Sequence, residues 1–255
     1  MNAREEDLFL VDCLLGAHAK LRLAYQNVSL TNQDKNLHLF LFCFAAVNKS
    51  IAGFLELFRI GQYDAAAIAF RSILESYADL INVAKIENYK DRLVLTWNSK
   101  KLTALKRISE NNNDRIESAK KEIEKLNDLV NAERQKGTKE IKIGQKMTLA
   151  NMYDQYITGY TICSGHVHGD INTVFRGCKQ FDIPILELYE SKEHDDRMNR
   201  TFISIIAKVL FRAAELMNEQ IDGGDSAYLY LFGLEYYSII GFIEKSQNKS
   251  YFTEE

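Results

Sequence analysis

Apolar residues recur at three- and four-residue steps through most of the chain, which is the periodicity of amphipathic α-helices. The pattern predicts helices over 4–26, 35–60 and 64–86. The second is apolar around much of its circumference, as in a helix at the centre of a bundle, and Gly61 is expected to cap its end. The third should bury one strip of side chains, formed by Ala66, Phe70, Ile73, Leu74, Tyr77, Leu80 and Ile81.

Two further helices are predicted over 89–136, with a turn at the three consecutive asparagines 111–113. The second of them carries a short heptad seam flanked by charges, which predicts a helical hairpin projecting from the body. Its apolar positions are Ile116, Ala119, Ile123, Leu126 and Val130. A sixth helix is expected from near Thr148 to Gly165 and Gly169, and two last helices over 195–221 and 227–245.

These elements predict an all-α, multi-helix bundle of about seven or eight helices. We expect one helical domain over 1–255, with 89–136 as an inserted hairpin arm. The chain of 255 residues contains a single proline, Pro184, which agrees with a mostly helical fold because proline interrupts helices.

Charge is unevenly distributed along the chain. The formal net charge is −3, so there is no overall polycation to hold nucleic acid. Residues 85–142, however, contain 15 lysines and arginines against 10 acidic residues. The simplest interpretation of this excess is a solvated helical arm. The alternative is a basic hairpin surface that contacts an RNA backbone.

Four widely spaced cysteines without a CxxC pair indicate free thiols in a reducing compartment, so we expect a cytoplasmic protein. The longest apolar run, 39–47, is too short to span a bilayer, and no membrane association is expected. No phosphate-binding glycine loop is visible. The His-x-His-x-Asp spacing at 166–170 resembles some metal sites but falls at a predicted helix end, so neither a metal nor a cofactor is predicted.

Two pairs of polar residues are candidates for chemistry. Arg71 and Glu75 are four residues apart, so they share one face of the third helix. They form either a surface ion pair or one wall of an internal polar groove. On the sixth helix Tyr160, Ser164 and His168 are predicted on one apolar, tyrosine-rich side, where His168 is either a hydrogen-bonded core histidine or part of a site.

The segment GQYDAAAIAFRSILESYADL (61–80), with the later spacing Tyr-x-x-x-Ser-x-x-x-His, resembles a bacterial family known as domain of unknown function 5677. The matching positions are Gly61, Ala66, Arg71, Ser72 and Glu75, then Tyr160, Ser164 and His168. The pattern is more distantly similar to the HEPN class of helical domains, many of which are metal-independent ribonucleases of bacterial toxin and defence systems. That class usually places an arginine four to six residues before a histidine on one helix. None of the five histidines here follows an arginine at that spacing, so a HEPN-type site would combine Arg71 and His168 from different helices.

Two functions therefore remain open. In the first, the protein is an RNA-cleaving effector: His168 acts as general acid or base and Arg71 stabilises charge on the phosphate. Glu75 would then orient Arg71, and Ser164 or Tyr160 would position the histidine. In the second, the protein is a non-catalytic helical scaffold that binds a protein partner, or a second copy of itself, through the hairpin or the aromatic last helix.

Overall fold

The computed structural model describes residues 3–25, 35–111, 116–160, 196–221, 233 and 237–242. Every regular element in these ranges is helical, which confirms the all-α prediction. The helices are α1 Ala3–Tyr25, α2 Lys35–Arg59, α3 Tyr63–Lys85, α4 Tyr89–Asn111, α5 Ile116–Gln135, α6 Ile143–Leu149, α7 Tyr153–Gln155, a π-helical turn Tyr156–Tyr160, and α8 Asp196–Gln220. Residues 237–242 are also helical.

Helices α1, α2, α3 and α8 pack around the main hydrophobic core. Aromatic rings form its centre: Phe70 stacks on Phe202 with 4.3 Å between ring centroids, and Phe54 lies 6.1 Å from Phe70. All seven apolar residues predicted for the buried strip of α3 are buried. Burial of each large side chain contributes about 1.5–3 kcal/mol, so this strip fixes the orientation of α3.

Helix α2 is apolar on most sides, as predicted, and packs most extensively against α3. By length and composition alone, Leu37–Arg59 would suffice to cross a membrane, although a core helix meets the same criteria. Its buried side chains, such as Val47 and Ile51, belong to the main core. Gly61 ends the helix with a φ of +78°, the left-handed conformation that favours glycine.

An ion-pair cluster joins the first and last long helices. Arg200 of α8 donates from Nε to Asp7 Oδ1 at 3.0 Å and from Nη2 to Glu6 Oε2 at 3.1 Å. Asp7 is fully buried, so the charge of Arg200 compensates the cost of removing that carboxylate from water. His18 of α1 is a hydrogen-bonded core histidine, with Nε2 3.1 Å from the Asn48 carbonyl oxygen.

Helices α4 and α5 pack against each other as the predicted hairpin, around a small second core formed by Leu95, Leu102, Leu126 and Val130. Two of these, Leu126 and Val130, were predicted from the heptad seam. The segment after α5 is fixed to α4: Thr96 Oγ1 accepts from the Ile141 N–H at 2.9 Å, and Ser99 Oγ donates to Glu140 Oε1 at 2.9 Å. Residues 112–115, between α4 and α5, lie outside the described residues.

The predicted start of the sixth helix near Thr148 is wrong. α6 begins five residues earlier and ends at Leu149, and Asn151, with a φ of +57°, turns the chain before α7. Asparagine tolerates this left-handed conformation better than most residues. The periodicity of apolar residues does not reveal such a turn.

In the π-helical turn the hydrogen bonds run from i to i+5, so side chains no longer follow the 100° spacing of an α-helix. Within this turn Ile157 is exposed and Tyr160 is buried.

Candidate functional site

Two polar clusters lie next to each other along α3. The open cluster consists of Arg71, Glu75 and Tyr160. The sealed cluster consists of Asp79, Tyr89 and Lys146. Arg71, Glu75 and Asp79 are four residues apart in succession, so one side of α3 contributes to both.

The guanidinium group of Arg71 is the centre of the open cluster. Its Nε donates to Glu75 Oε1 at 3.2 Å, and its Nη2 donates to Tyr160 Oη at 2.6 Å. Its Cζ also lies 4.5 Å from the centroid of the Tyr160 ring, a cation–π contact. The arginine is therefore held from two directions, by its own helix and by the π-helical turn.

Close packing brings the π-helical turn to α3. A Cβ atom at Gly159 would lie 3.0 Å from Phe70 Cε1 and 3.5 Å from Leu74 Cδ1, so a larger residue would require the Phe70 ring to shift by a few tenths of an ångström. Glycine at this position lets the next residue, Tyr160, approach Arg71. Single π-helical turns often occur at functional sites.

The open cluster is only partly shielded from water. The side chains of Arg71 and Glu75 are 22% and 34% exposed, whereas Tyr160 is buried. Burial, followed by the negative charge of Glu75 and the hydrogen bond with it, raises the pKa of Tyr160 to about 12. The phenol is thus protonated at neutral pH, and its hydroxyl group donates a hydrogen bond to Glu75.

The open cluster contains three of the site residues predicted from the sequence: Arg71, Glu75 and Tyr160. Ser72 is exposed and donates to the Ile68 carbonyl of its own helix, so it does not join them. Ser164 and His168 lie outside the described residues, and the prediction that His168 shares a pocket with Arg71 stays a prediction.

Sequence analysis missed the sealed cluster. Asp79 Oδ2 accepts from Lys146 Nζ at 2.7 Å, and Asp79 Oδ1 accepts from the Tyr89 hydroxyl at 2.7 Å. The cluster thereby joins α3, α4 and α6. Nearby, Asn82 Nδ2 donates to the Lys146 carbonyl at 2.9 Å, a second attachment between α3 and α6. One signal was available: Asp79 stands within the apolar run 78–84, where a charge requires a partner.

Burial dominates the electrostatics of the sealed cluster. It raises the pKa of the Asp79 carboxyl, against the opposing effects of Lys146 and Tyr89, and it raises the pKa of the Tyr89 phenol. Burial and the charge of Asp79 also raise the pKa of the Cys43 thiol to about 12. Cys43 is therefore a protonated, unreactive thiol, as the sequence interpretation of free buried cysteines requires.

The chain was compared with known sequence families, and it matches one of unknown function. The profile described as "Family of unknown function (DUF5677)" matches residues 37–182. The chain belongs to DUF5677. No curated protein and no solved structure matches it.

The DUF5677 match confirms the first resemblance seen in the sequence. It includes both polar clusters, the hairpin, and also Ser164 and His168. Helices α1 and α8, which flank the match, supply part of the main core and the Asp7–Arg200 ion pair. Both clusters are thus features of the DUF5677 segment.

The described residues contain no group of three histidine, cysteine, aspartate or glutamate side chains arranged to hold a metal ion. The His166–Asp170 motif lies outside the described part of the chain. The chemistry that the described residues offer is a cation held next to a protonated phenol and a carboxylate. Arginine is the side chain best suited to phosphate because its fork of N–H groups matches two oxygens, and here two of those groups, Nε and Nη2, already bind Glu75 and Tyr160.

Proposed function

We propose that this DUF5677 protein cleaves RNA and that Arg71 binds the phosphate group at which the strand is cut. The observation that supports the proposal is the position of Arg71, held by Glu75 and Tyr160 at a partly exposed surface. An arginine whose orientation is fixed loses less conformational freedom when it binds phosphate. The distant HEPN resemblance adds a biological setting, a bacterial toxin or defence system acting in the cytoplasm.

In the proposed reaction the RNA 2′-oxygen attacks the adjacent phosphorus, and the bond from phosphorus to the 5′-oxygen breaks. His168 accepts the proton of the 2′-hydroxyl while water protonates the leaving 5′-oxygen, or His168 protonates the 5′-oxygen while water takes the 2′-hydroxyl proton. Arg71 stabilises the negative charge that develops on the non-bridging oxygens. Glu75 and Tyr160 are positioning residues in this account, because they hold Arg71 and do not touch the reacting atoms.

The proposal is tested with purified protein and single-stranded RNA of mixed sequence. We expect His168→Ala to lower the cleavage rate by about 100-fold or more, the usual contribution of a general acid or base. Arg71→Ala should lower it by about 100–1000-fold, as removal of one charge-stabilising donor does. Wild-type protein that leaves RNA intact over a range of pH and salt would contradict the proposal.

Arg212→Ala is the matched control. Arg212 is also a helical arginine paired with a glutamate on its own helix, Glu215, but it lies on α8, and the groups that act on it are Glu215, Glu219 and Tyr77, none of which belongs to the open cluster. It should cleave at the wild-type rate. Equal losses in Arg71→Ala and Arg212→Ala would show that the effect does not come from the open cluster.

A second function is supported by a separate feature of the open cluster. Glu75 already neutralises Arg71, and Arg71 joins α3 to the π-helical turn, which is the behaviour of a structural lock. On this account the protein is a non-catalytic helical module that binds a protein partner. We then expect His168→Ala to lower the melting temperature of the protein and to leave its behaviour towards RNA the same as that of the wild type.

A further inference from the structure

A basic groove lies along the hairpin, separate from both clusters on α3. It has a volume of about 440 Å³ and is bordered by α4, by the last turn of α5 and by the segment that follows α5. Four cations line this hairpin groove, against one carboxylate: Lys100, Lys106, Arg107 and Arg134, with Glu140. Ser99 and Thr103 add hydroxyl groups to its wall.

Among the residues that line the hairpin groove, cations outnumber carboxylates by four to one. Arg134 Nη2 binds Glu140 Oε1 at 2.6 Å, and Lys106 Nζ donates to the neutral Asn127 at 3.2 Å. The lining residues therefore carry a formal net charge of +3, counting four cations and one carboxylate. A concave surface of one sign concentrates counter-ions, so this groove favours an extended polyanion.

An aromatic pair, Trp97 and Phe42, lies about one helical turn of α4 before Lys100, the first cation of the groove. Trp97, Lys100, Ala104 and Arg107 recur at steps of three and four residues, so they share one side of α4. Trp97 is 38% exposed and Phe42 of α2 is 66% exposed, with 6.2 Å between their ring centroids. Large exposed aromatic rings next to a row of cations are unusual on a surface that only contacts water.

We propose that the aromatic pair and the hairpin groove together bind single-stranded RNA. Bases would stack on Trp97 and Phe42 while the backbone phosphates follow Lys100 and Arg107. Surfaces that bind single strands combine these same elements, aromatic platforms and a positive groove. A duplex offers no exposed base face to such a platform. The inference names the substrate of the proposed cleavage reaction and rests on that function for its biological meaning.

Binding is measured with a 2′-O-methyl RNA oligonucleotide, which cannot be cut by attack of its 2′-oxygen. Trp97 is the single tryptophan of the chain, so its fluorescence reports directly on this surface. We expect the oligonucleotide to quench Trp97 saturably, and a duplex of the same sequence to bind at least tenfold more weakly. Phe42→Ala should weaken binding about tenfold, the loss expected for one stacked base.

The charge contribution is read from the dependence of affinity on salt. Lys100→Ala/Arg107→Ala should reduce the slope of log affinity against log salt by about 1.4, because each phosphate contact on a single strand contributes about 0.7. Lys121→Ala/Lys125→Ala is the matched control: it removes two exposed cations of α5 that do not line the groove. Its slope should stay close to that of the wild type.

The outcomes separate this inference from the proposed function. Saturable quenching without any cleavage of ordinary RNA would support the binding surface and contradict the cleavage proposal. Cleavage that persists in Lys100→Ala/Arg107→Ala, with unchanged affinity and salt slope, would contradict the binding surface alone. Absence of quenching, or self-association of the protein that depends on Trp97, would also overturn the inference.

Discussion

The open and sealed clusters use similar residue types on the same side of one helix, yet they differ in their access to water. In each, a carboxylate of α3 is paired with a cation and accompanied by a tyrosine. Glu75 and Arg71 remain 34% and 22% exposed, whereas Asp79 and Lys146 are 9% and 12% exposed. Only one helical turn separates Glu75 from Asp79.

This difference in burial suggests different roles. A buried ion pair that loses one partner leaves an uncompensated charge, so the sealed cluster constrains how α3, α4 and α6 assemble. A partly exposed pair contributes little to stability, and its cation can exchange an internal contact for a ligand. The comparison predicts that substitutions in the sealed cluster change folding and those in the open cluster change function.

The largest effect is expected for Lys146→Met. It leaves the Asp79 carboxylate buried without its cation, and removal of one partner from such a pair typically costs about 3–5 kcal/mol. Urea denaturation would measure the free energy of unfolding. Lys125→Met, at an exposed position of α5, is the control and should be nearly neutral. A loss under about 1 kcal/mol in Lys146→Met would remove the distinction between the clusters.

A smaller stability effect is expected for Arg71→Ala. The Arg71–Glu75 pair contributes about 0.3–0.5 kcal/mol, the contact with the Tyr160 ring about 0.5–1 kcal/mol, and the hydrogen bond to the Tyr160 hydroxyl about 0.5–1.5 kcal/mol. The total should therefore be about 2 kcal/mol, measured by the same urea titration. A loss as large as that of Lys146→Met would mean that the open cluster is also a structural element.

The dependence of stability on pH sharpens the comparison further. Because the folded state raises the pKa of Asp79 above its ordinary value of 3.8, the protonated carboxyl favours folding. This contribution is fully present below pH 3.8 and is lost as the pH rises through the folded-state pKa. Wild-type protein should lose stability relative to Asp79→Asn over that interval. Parallel stability curves for the two proteins would contradict a raised pKa.

Most of the fold was predictable because it depends on apolar periodicity. The buried strip of α3 from Ala66 to Ile81 follows from three- and four-residue spacing, and Gly61 follows from the need for a left-handed residue at a helix end. The break at Asn151 and the π-helical turn depend on local backbone geometry, to which an analysis of apolar spacing is insensitive.

The candidate site was only partly predictable. The Arg71–Glu75 pair is local and follows from helical spacing. The contact of Arg71 with Tyr160 joins residues 89 positions apart, and the pair of Asp79 with Lys146 joins residues 67 apart. Such contacts depend on how helices pack. In the sequence, Lys146 cannot be distinguished from an ordinary surface lysine. Helix spacing alone gave no indication that its side chain is largely buried.

The most direct test of the central claim is the chemistry of the RNA ends produced by the wild-type protein, analysed by mass spectrometry. Attack by the 2′-oxygen predicts fragments that end in a 2′,3′-cyclic phosphate and begin with a 5′-hydroxyl group. Both ends should disappear together in His168→Ala and Arg71→Ala and persist in Arg212→Ala. Fragments that begin with a 5′-phosphate, or RNA that stays intact with wild-type protein, would contradict the account.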